Sequence, residues 1–243
     1  MSMNATIRKT TAFRKTGLVR LGAAAVALSG AIAFAAPASA EITASAAVSN
    51  MYLWRGLDLG NGDPAVSGDL RYTNSGAYVG VWMSSGDSTL GNEYDYYAGY
   101  GNKIGDFTYD LSLWNYNYSD AGLDPNNPGF DVSSDTTGDL SEVIATLGYG
   151  GFVSFSYYDN IAGATGYEYY TLSGTYDQFS LTLGYHDPDS GNDITHANLT
   201  YAFNSNLSFT VSKVVDQDIT KNDPGAVDED VKFVVTYALP IKM

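Results

Sequence analysis

Short segments of alternating apolar and polar residues run through most of the chain, and this alternation constrains the fold more than any other feature. In the segment 206–215, Leu207 and Phe209 share one face, whereas Ser208 and Thr210 share the other. Successive side chains of a β-strand point to opposite faces, so a period of two residues indicates strands with one apolar and one polar face.

The alternation predicts about twelve strands joined by connections of two kinds. The predicted strands lie near 41–54, 65–72, 77–84, 93–101, 106–118, 141–149, 151–158, 166–176, 178–186, 195–203, 206–215 and 230–239. Tight turns, such as Asn204-Ser205, alternate strictly with longer polar segments, of which 119–140 is the longest. Short turns at one end and long loops at the other are typical of an outer-membrane β-barrel with both termini on the periplasmic side.

The polar face of these strands is mostly Ser, Thr, Gly and Asn and carries few charges. A soluble sandwich also alternates, but its outward face carries many Lys and Glu side chains. We therefore expect an all-β fold, a transmembrane antiparallel up-and-down β-barrel of about 12 strands with long acidic extracellular loops. A secreted β-sandwich is the alternative.

The first forty residues have the pattern of a secretory signal peptide. A leader with five Lys and Arg residues precedes an apolar, alanine-rich stretch, and Pro37-Ala38-Ser39-Ala40 provides an A-x-A cleavage site. We predict that residues 1–40 are cleaved on export and that residues 41–243 form one barrel. The predicted location is the outer membrane of a Gram-negative bacterium, reached through the periplasm.

Charge limits the partners that the exported chain is expected to bind. The full sequence has 12 basic and 27 acidic residues, and the leader holds five of the basic and none of the acidic ones, which leaves 7 − 27 = −20 for residues 41–243. Such a surface argues against nucleic acid, and the absence of cysteine excludes disulfides and thiol chemistry. The expected partners are outer-membrane lipid, small solutes and, during biogenesis, the barrel-assembly machinery.

Four segments carry a family resemblance: 52–56 (YLWRG), 62–66 (GDPAV), 76–82 (GAYVGVW) and 93–100 (EYDYYAGY). Together they resemble the TorF-type porins, the Gcw_chp group of proteobacterial outer-membrane proteins. The resemblance extends over essentially all of the exported chain and implies a porin architecture, in a group whose substrates and mechanism are largely unassigned. The chain departs from many outer-membrane barrels by ending in Met243 rather than an aromatic residue.

Strand parity places a set of charged and histidine side chains inside the predicted barrel. The pore-lining candidates are Arg55, Asp69, Arg71, Asp95, Asp110, Glu142, His186, His196 and Lys232. Arg55 ends the first predicted strand and is expected to project over the mouth, and Lys213 breaks the pattern of its strand. The excess of carboxylates favours small cations or neutral solutes; alternatively, the inward charges pair with one another and partly plug the barrel.

Aromatic side chains and the longest loop also bear on whether the barrel is open. Trp82, Trp114, Tyr116 and Tyr118 have inward parity, so they either offer stacking faces to sugars or fill the bore. Loop 119–140 is long enough to fold inward and narrow the lumen further.

The loop between the two histidines is a candidate for binding calcium. Asp187, Asp189 and Asp193 place carboxylates at spaced positions around a glycine, as in calcium loops, although acidic residues are ordinary in exposed turns. No other cofactor is expected. We do not expect an enzyme, because His186 and His196 lack a serine in any recognisable nucleophile motif.

Two functional hypotheses follow. The first is a porin that acts as a passive diffusion channel for small cations or neutral solutes. The second is a non-conducting barrel that presents acidic extracellular loops for adhesion or surface interaction.

Overall fold

Twelve strands close into a single antiparallel barrel in which neighbours follow sequence order and the last strand pairs with the first. The computed structural model describes residues 40–120, 138, 140–163, 165–220, 225–239 and 241. The strands are β1 (Glu41–Ser49), β2 (Leu53–Trp54), β3 (Leu57–Asp58), β4 (Ala65–Asn74), β5 (Ala77–Asp87), β6 (Gly91–Ile104), β7 (Phe107–Asn115), β8 (Ser141–Tyr149), β9 (Val153–Ala162), β10 (Tyr167–Tyr176), β11 (Phe179–Pro188), β12 (Ile194–Ala202), β13 (Leu207–Gln217) and β14 (Lys232–Leu239). Strands β2 and β3 form a separate two-stranded hairpin. The predicted twelve-stranded barrel is confirmed, whereas the predicted signal peptide and most of loop 119–140 lie outside the described residues.

Tight turns join the strands at one end of the barrel. These turns contain residues in the left-handed backbone conformation, which lets the chain reverse within two residues. Ser75 and Gly76, with φ of 53° and 89°, connect β4 to β5. Positive φ at both central residues is the primed turn that suits the twist of a hairpin. Asp177 (φ 53°) has the same role between β10 and β11. The described residues contain no helix that is long and apolar enough to cross a membrane.

The barrel turns its apolar face outward. Leu70, Leu111 and Leu147 keep 54%, 58% and 53% of their surface exposed, whereas the inward-facing Thr171 and Ser212 are buried. A water-soluble sandwich hides its apolar face, so this inverted distribution does not suit an aqueous environment on the outside.

The first strand is shorter than predicted. The sequence pattern extends it over 41–54, but β1 ends at Ser49 and the chain folds back as the β2–β3 hairpin. Arg55 (φ 47°) and Gly56 (φ 83°) form the two-residue turn at its tip, and the Leu59 N–H donates to the Tyr52 carbonyl at 2.9 Å. The expectation that Arg55 projects over the mouth is therefore wrong.

Candidate functional site

Arg55, at the tip of the β2–β3 hairpin, reaches the opposite wall of the barrel. Its Nη2 donates to both carboxylate oxygens of Glu142 on β8, at 2.9 and 2.7 Å, and its Nη1 donates to the Tyr167 hydroxyl at 3.3 Å. The guanidinium also lies 4.7 Å from the Tyr158 ring centre and 4.5 Å from that of Tyr169. Arg55 is 7% exposed and Glu142 is 1% exposed. Charge pairing and cation–π contacts thus hold the hairpin inside the barrel.

His186 fixes the backbone of the hairpin tip. Its Nε2 lies 2.9 Å from the Arg55 carbonyl and therefore carries the proton and donates. Its Nδ1, 2.7 Å from the Tyr167 hydroxyl, then accepts. The same tyrosine receives the hydrogen bond from Arg55, so the three residues form one continuous network.

His196 forms the surface on which the hairpin tip rests. A Cβ built on Gly56 would lie 2.4 Å from the His196 Cγ. Only glycine therefore fits at position 56, against the His196 ring. The His196 ring nitrogens contact the Tyr169 hydroxyl at 2.8 Å and the Asn198 amide oxygen at 3.2 Å. The hydrogen-bond partners of the two histidine rings are tyrosine hydroxyls, the Asn198 amide oxygen and the Arg55 carbonyl.

Glu93 and Asp95 face the interior from β6, close to the first limb of the hairpin. Glu93 accepts hydrogen bonds from Tyr52 and, at 3.0 Å, from Tyr118. Burial, and after it the Glu93 carboxylate, raises the pKa of both phenols well above the ordinary value, so both hydroxyls stay protonated and donate. Asp95 is 0% exposed, and neither of its carboxylate oxygens has a hydrogen-bond partner among the described residues.

A second charged cluster lies nearer the tight-turn end. Tyr97 donates to Asp69 at 2.7 Å, and Tyr78 donates to the two oxygens of Asp110 at 2.7 and 2.9 Å. The Arg71 guanidinium carbon lies 3.6 Å above the centre of the Tyr78 ring. Asp69 and Arg71 are half-buried rather than sealed, so this cluster remains open to the lumen.

Two glycines allow the tyrosines of this cluster to lie flat against the wall. Tyr78 pairs with Gly99 and Tyr97 with Gly80 across β5 and β6. A Cβ built on either glycine would lie 2.3–2.4 Å from the partner ring. The rings occupy the space that a side chain would take, and they line the lumen without crossing it.

The remaining predicted residues are divided between the interior and the loops. Lys232 lies inside, 3.3 Å from Asp228 and 3.0 Å from its carbonyl. Lys213 faces outward and is exposed. All nine pore-lining candidates have their side chains in the barrel interior, but Arg55 arrives there by the hairpin and not by the wall.

The calcium candidates remain a sequence-based prediction. Asp193 accepts a hydrogen bond from Tyr185 at 2.7 Å, and the Asp189 N–H donates to the Gly166 carbonyl. Within the described part of the chain, no three His, Cys, Asp or Glu side chains are grouped so that they could hold a metal ion.

Sequence reasoning missed the hairpin and assigned the inward role to loop 119–140. The available signal was the Arg55-Gly56 pair between apolar residues, which suits a primed turn only when the first residue accepts positive φ. Because arginine seldom does so, the pattern was a weak one.

Similar solved structures include two porins and one channel. The chain is 14% identical to a mutant of the Rh. blastica porin, with a TM-score of 0.43, 72% of this chain covered and 55% of that chain, so it spans about half the length of that porin. It is 10% identical to the KdgM porin in complex with disordered oligogalacturonate (TM-score 0.45, coverage 83% and 100%). It is 12% identical to a deltaS2 mutant of the TodX monoaromatic hydrocarbon channel (TM-score 0.34, coverage 86% and 91%).

Sequence comparison supplies the family. No curated protein matches the chain. The model of a bacterial family of unknown function, Gcw_chp, matches residues 34–222, which is most of the sequence. The chain belongs to the Gcw_chp family.

Proposed function

We propose that the protein is a TorF-type porin of the outer membrane, a passive channel for small cations or neutral solutes that the β2–β3 hairpin closes. This proposal rests on one observation: the β2–β3 hairpin, which is not part of the barrel wall, lies across a polar barrel interior. The outward apolar face supports the membrane location, because such a surface needs lipid around it.

The wall is complete without the hairpin. β1 pairs with β4 at nine consecutive positions, from Glu41 opposite Thr73 to Ser49 opposite Ala65. The intervening residues 50–64 make no rung of that ladder. Removal of the hairpin from the interior would therefore cost its own contacts but none of the hydrogen bonds that close the barrel between these strands.

The interior away from the hairpin suits passage of water and small solutes. Ser154, Ser173 and Thr182 point inward and are only partly buried. Small hydroxyl side chains and flat tyrosine rings leave more open bore than long side chains would. Inward carboxylates outnumber inward basic residues, which favours cations over anions.

The alternative function keeps one specific observation in its favour. The hairpin half of the interior is filled by a buried ion pair, two histidines and several tyrosines. If the hairpin never leaves, the barrel does not conduct, and its acidic loops are the functional surface.

Single-channel recording in planar bilayers separates the two functions. The comparison is between the wild type and a variant in which residues 53–58 are replaced by two glycines, a length that can join Tyr52 to Leu59 because these residues are already hydrogen-bonded. We expect brief openings of the wild type and a larger, steady conductance of the variant. Heat-modifiable migration on gels checks that both fold.

The control shortens the exposed segment 189–191 instead and should leave the conductance at the wild-type level. A correctly folded hairpin variant that never conducts would exclude the channel and favour the surface-interaction function.

A further inference from the structure

Two acidic side chains lie together on β6 in the interior of the barrel. Glu93 and Asp95 are 2% and 0% exposed. Residues two apart on a strand point to the same face at a separation of about 7 Å, a distance that a single cation between two carboxylates can bridge. Their charges act directly on each other. Two negative charges in a dry site repel, so the arrangement needs a compensating partner.

Protein groups compensate only Glu93. Tyr52 and Tyr118 each donate a hydrogen bond to it. Asp95 accepts none from the described residues; the Asn117 backbone is close but outside ordinary hydrogen-bond geometry. A buried carboxylate without hydrogen-bond partners is strongly unfavourable.

Basic side chains do not neutralise the two carboxylates. Arg55 is committed to Glu142, and Lys232 to Asp228. Among the described residues, neither Glu93 nor Asp95 has an ion pair with a lysine or arginine. Within the described part of the chain, no basic side chain balances the charge of the two carboxylates.

A proton and a metal ion would differ in how many oxygens of Asp95 they satisfy. A proton satisfies one oxygen of Asp95 and leaves the other unpaired, whereas a metal ion contacts both at once. The oxygen groups at the pair are the two carboxylates and the Tyr52 and Tyr118 hydroxyls, and calcium prefers oxygen ligands to the nitrogen and sulfur ligands that transition metals take.

We propose that Glu93 and Asp95 form a binding site for a divalent, calcium-type cation inside the barrel. Two carboxylates balance the charge of one divalent ion. Because Tyr52 contacts both Glu93 and the Trp82 ring, the ion also holds the first limb of the hairpin against β5 and β6. This site is separate from the acidic loop 187–193 and does not require the barrel to conduct.

Terbium luminescence tests the site directly. Tb³⁺ occupies calcium sites and emits when a nearby tryptophan is excited, and Trp82 lies directly opposite Asp95 across β5 and β6. In detergent-solubilised protein we expect saturable Tb³⁺ emission that Ca²⁺ reverses. Asp95→Asn should weaken the apparent affinity at least tenfold, and Trp82→Phe should dim the emission without preventing binding.

Asp110→Asn is the matched control, because Asp110 is also an inward carboxylate but both its oxygens are hydrogen-bonded by Tyr78. It should bind Tb³⁺ as the wild type does. If D95N and D110N both retain wild-type emission, the loops bind the ion and the proposal is wrong. If D95N does not fold, the wild type decides: Ca²⁺ should raise its unfolding temperature relative to EDTA, and no shift overturns the proposal. None of these measurements involves conductance, so their failure leaves the channel proposal standing.

Discussion

At the residue scale, Arg55 combines two features that are individually costly. Its φ of 47° lies in the left-handed region, which non-glycine residues enter at a cost of about 1–3 kcal/mol. Its charge is also removed from water, which requires a well-formed partner. The Glu142 carboxylate and the surrounding tyrosine rings meet that requirement. A strained residue maintained by contacts this specific is typical of a functional position rather than of a neutral loop.

Gly56→Ala should loosen the hairpin, and Gly62→Ala should not. Both glycines have positive φ, 83° and 88°, so both variants bear a similar backbone cost. Only at Gly56 would the new Cβ collide with His196, at 2.4 Å; nothing lies within 4 Å of the one at Gly62. Trypsin cleavage after the buried Arg55 reports the hairpin's release. We expect cleavage at least about tenfold faster in G56A, since 1.4 kcal/mol corresponds to a factor of ten.

One outcome of the same protease assay would contradict this prediction. Equal cleavage rates in the two variants would mean that His196 moves aside at no cost, and that the tip is not held by close packing. Cleavage after Lys103, an exposed residue near the end of β6, calibrates the protease activity in each sample.

At the element scale, β5 and β6 show how the barrel keeps aromatic rings without filling its bore. Tyr78 and Gly80 face inward from β5, Tyr97 and Gly99 face inward from β6, and each of these tyrosines packs on the glycine of the other strand. The Tyr97 ring is further fixed by stacking on Trp114, with centroids 4.3 Å apart, and by its hydrogen bond to Asp69. The ring therefore has little freedom to move away from an added side chain.

Gly80→Ala should destabilise the barrel. The new Cβ would lie 2.3 Å from the Tyr97 ring, and overpacking of this kind costs about 1–3 kcal/mol. Gly174→Ala is the control, because its Cβ would meet nothing closer than the Phe152 carbonyl at 4.0 Å. The free energy of unfolding in urea, measured in micelles, compares them. A loss of equal size in both variants would show that strand propensity, and not the packing of Tyr97, decides the effect.

At the scale of the whole molecule, charge is distributed unequally between the interior and its surroundings. The inward carboxylates are Asp69, Glu93, Asp95, Asp110 and Glu142, against the inward basic residues Arg55, Arg71 and Lys232. With Arg55 paired to Glu142 and Lys232 to Asp228, negative charge remains along the lumen. Such a field attracts cations over the length of the barrel.

The double variant Asp69→Asn, Asp110→Asn should have a weaker cation preference. It leaves Arg71 as the uncompensated charge of its cluster while both tyrosines keep an oxygen to which they can donate. The reversal potential in a salt gradient, recorded in the background without residues 53–58, should move toward zero, with the cation-to-anion permeability ratio falling roughly twofold or more. Lys213→Gln alters a charge on the outer face and should leave that potential unchanged. A potential that follows Lys213 instead would place the determinant outside the lumen.

The sequence by itself determined the barrel, its twelve wall strands and the face on which each wall residue lies. A period of two residues is a local property, and it holds even in β6, where Glu93 and Asp95 face inward and Tyr94 and Tyr96 outward. The tertiary structure alone decided where Arg55 lies, because Tyr52, Leu53 and Trp54 continue the alternation of β1 and conceal the break after Ser49. The hairpin docks on Glu142, 87 residues away. The isolation of Asp95 likewise depends on the side chains that surround it and not on its neighbours in the chain.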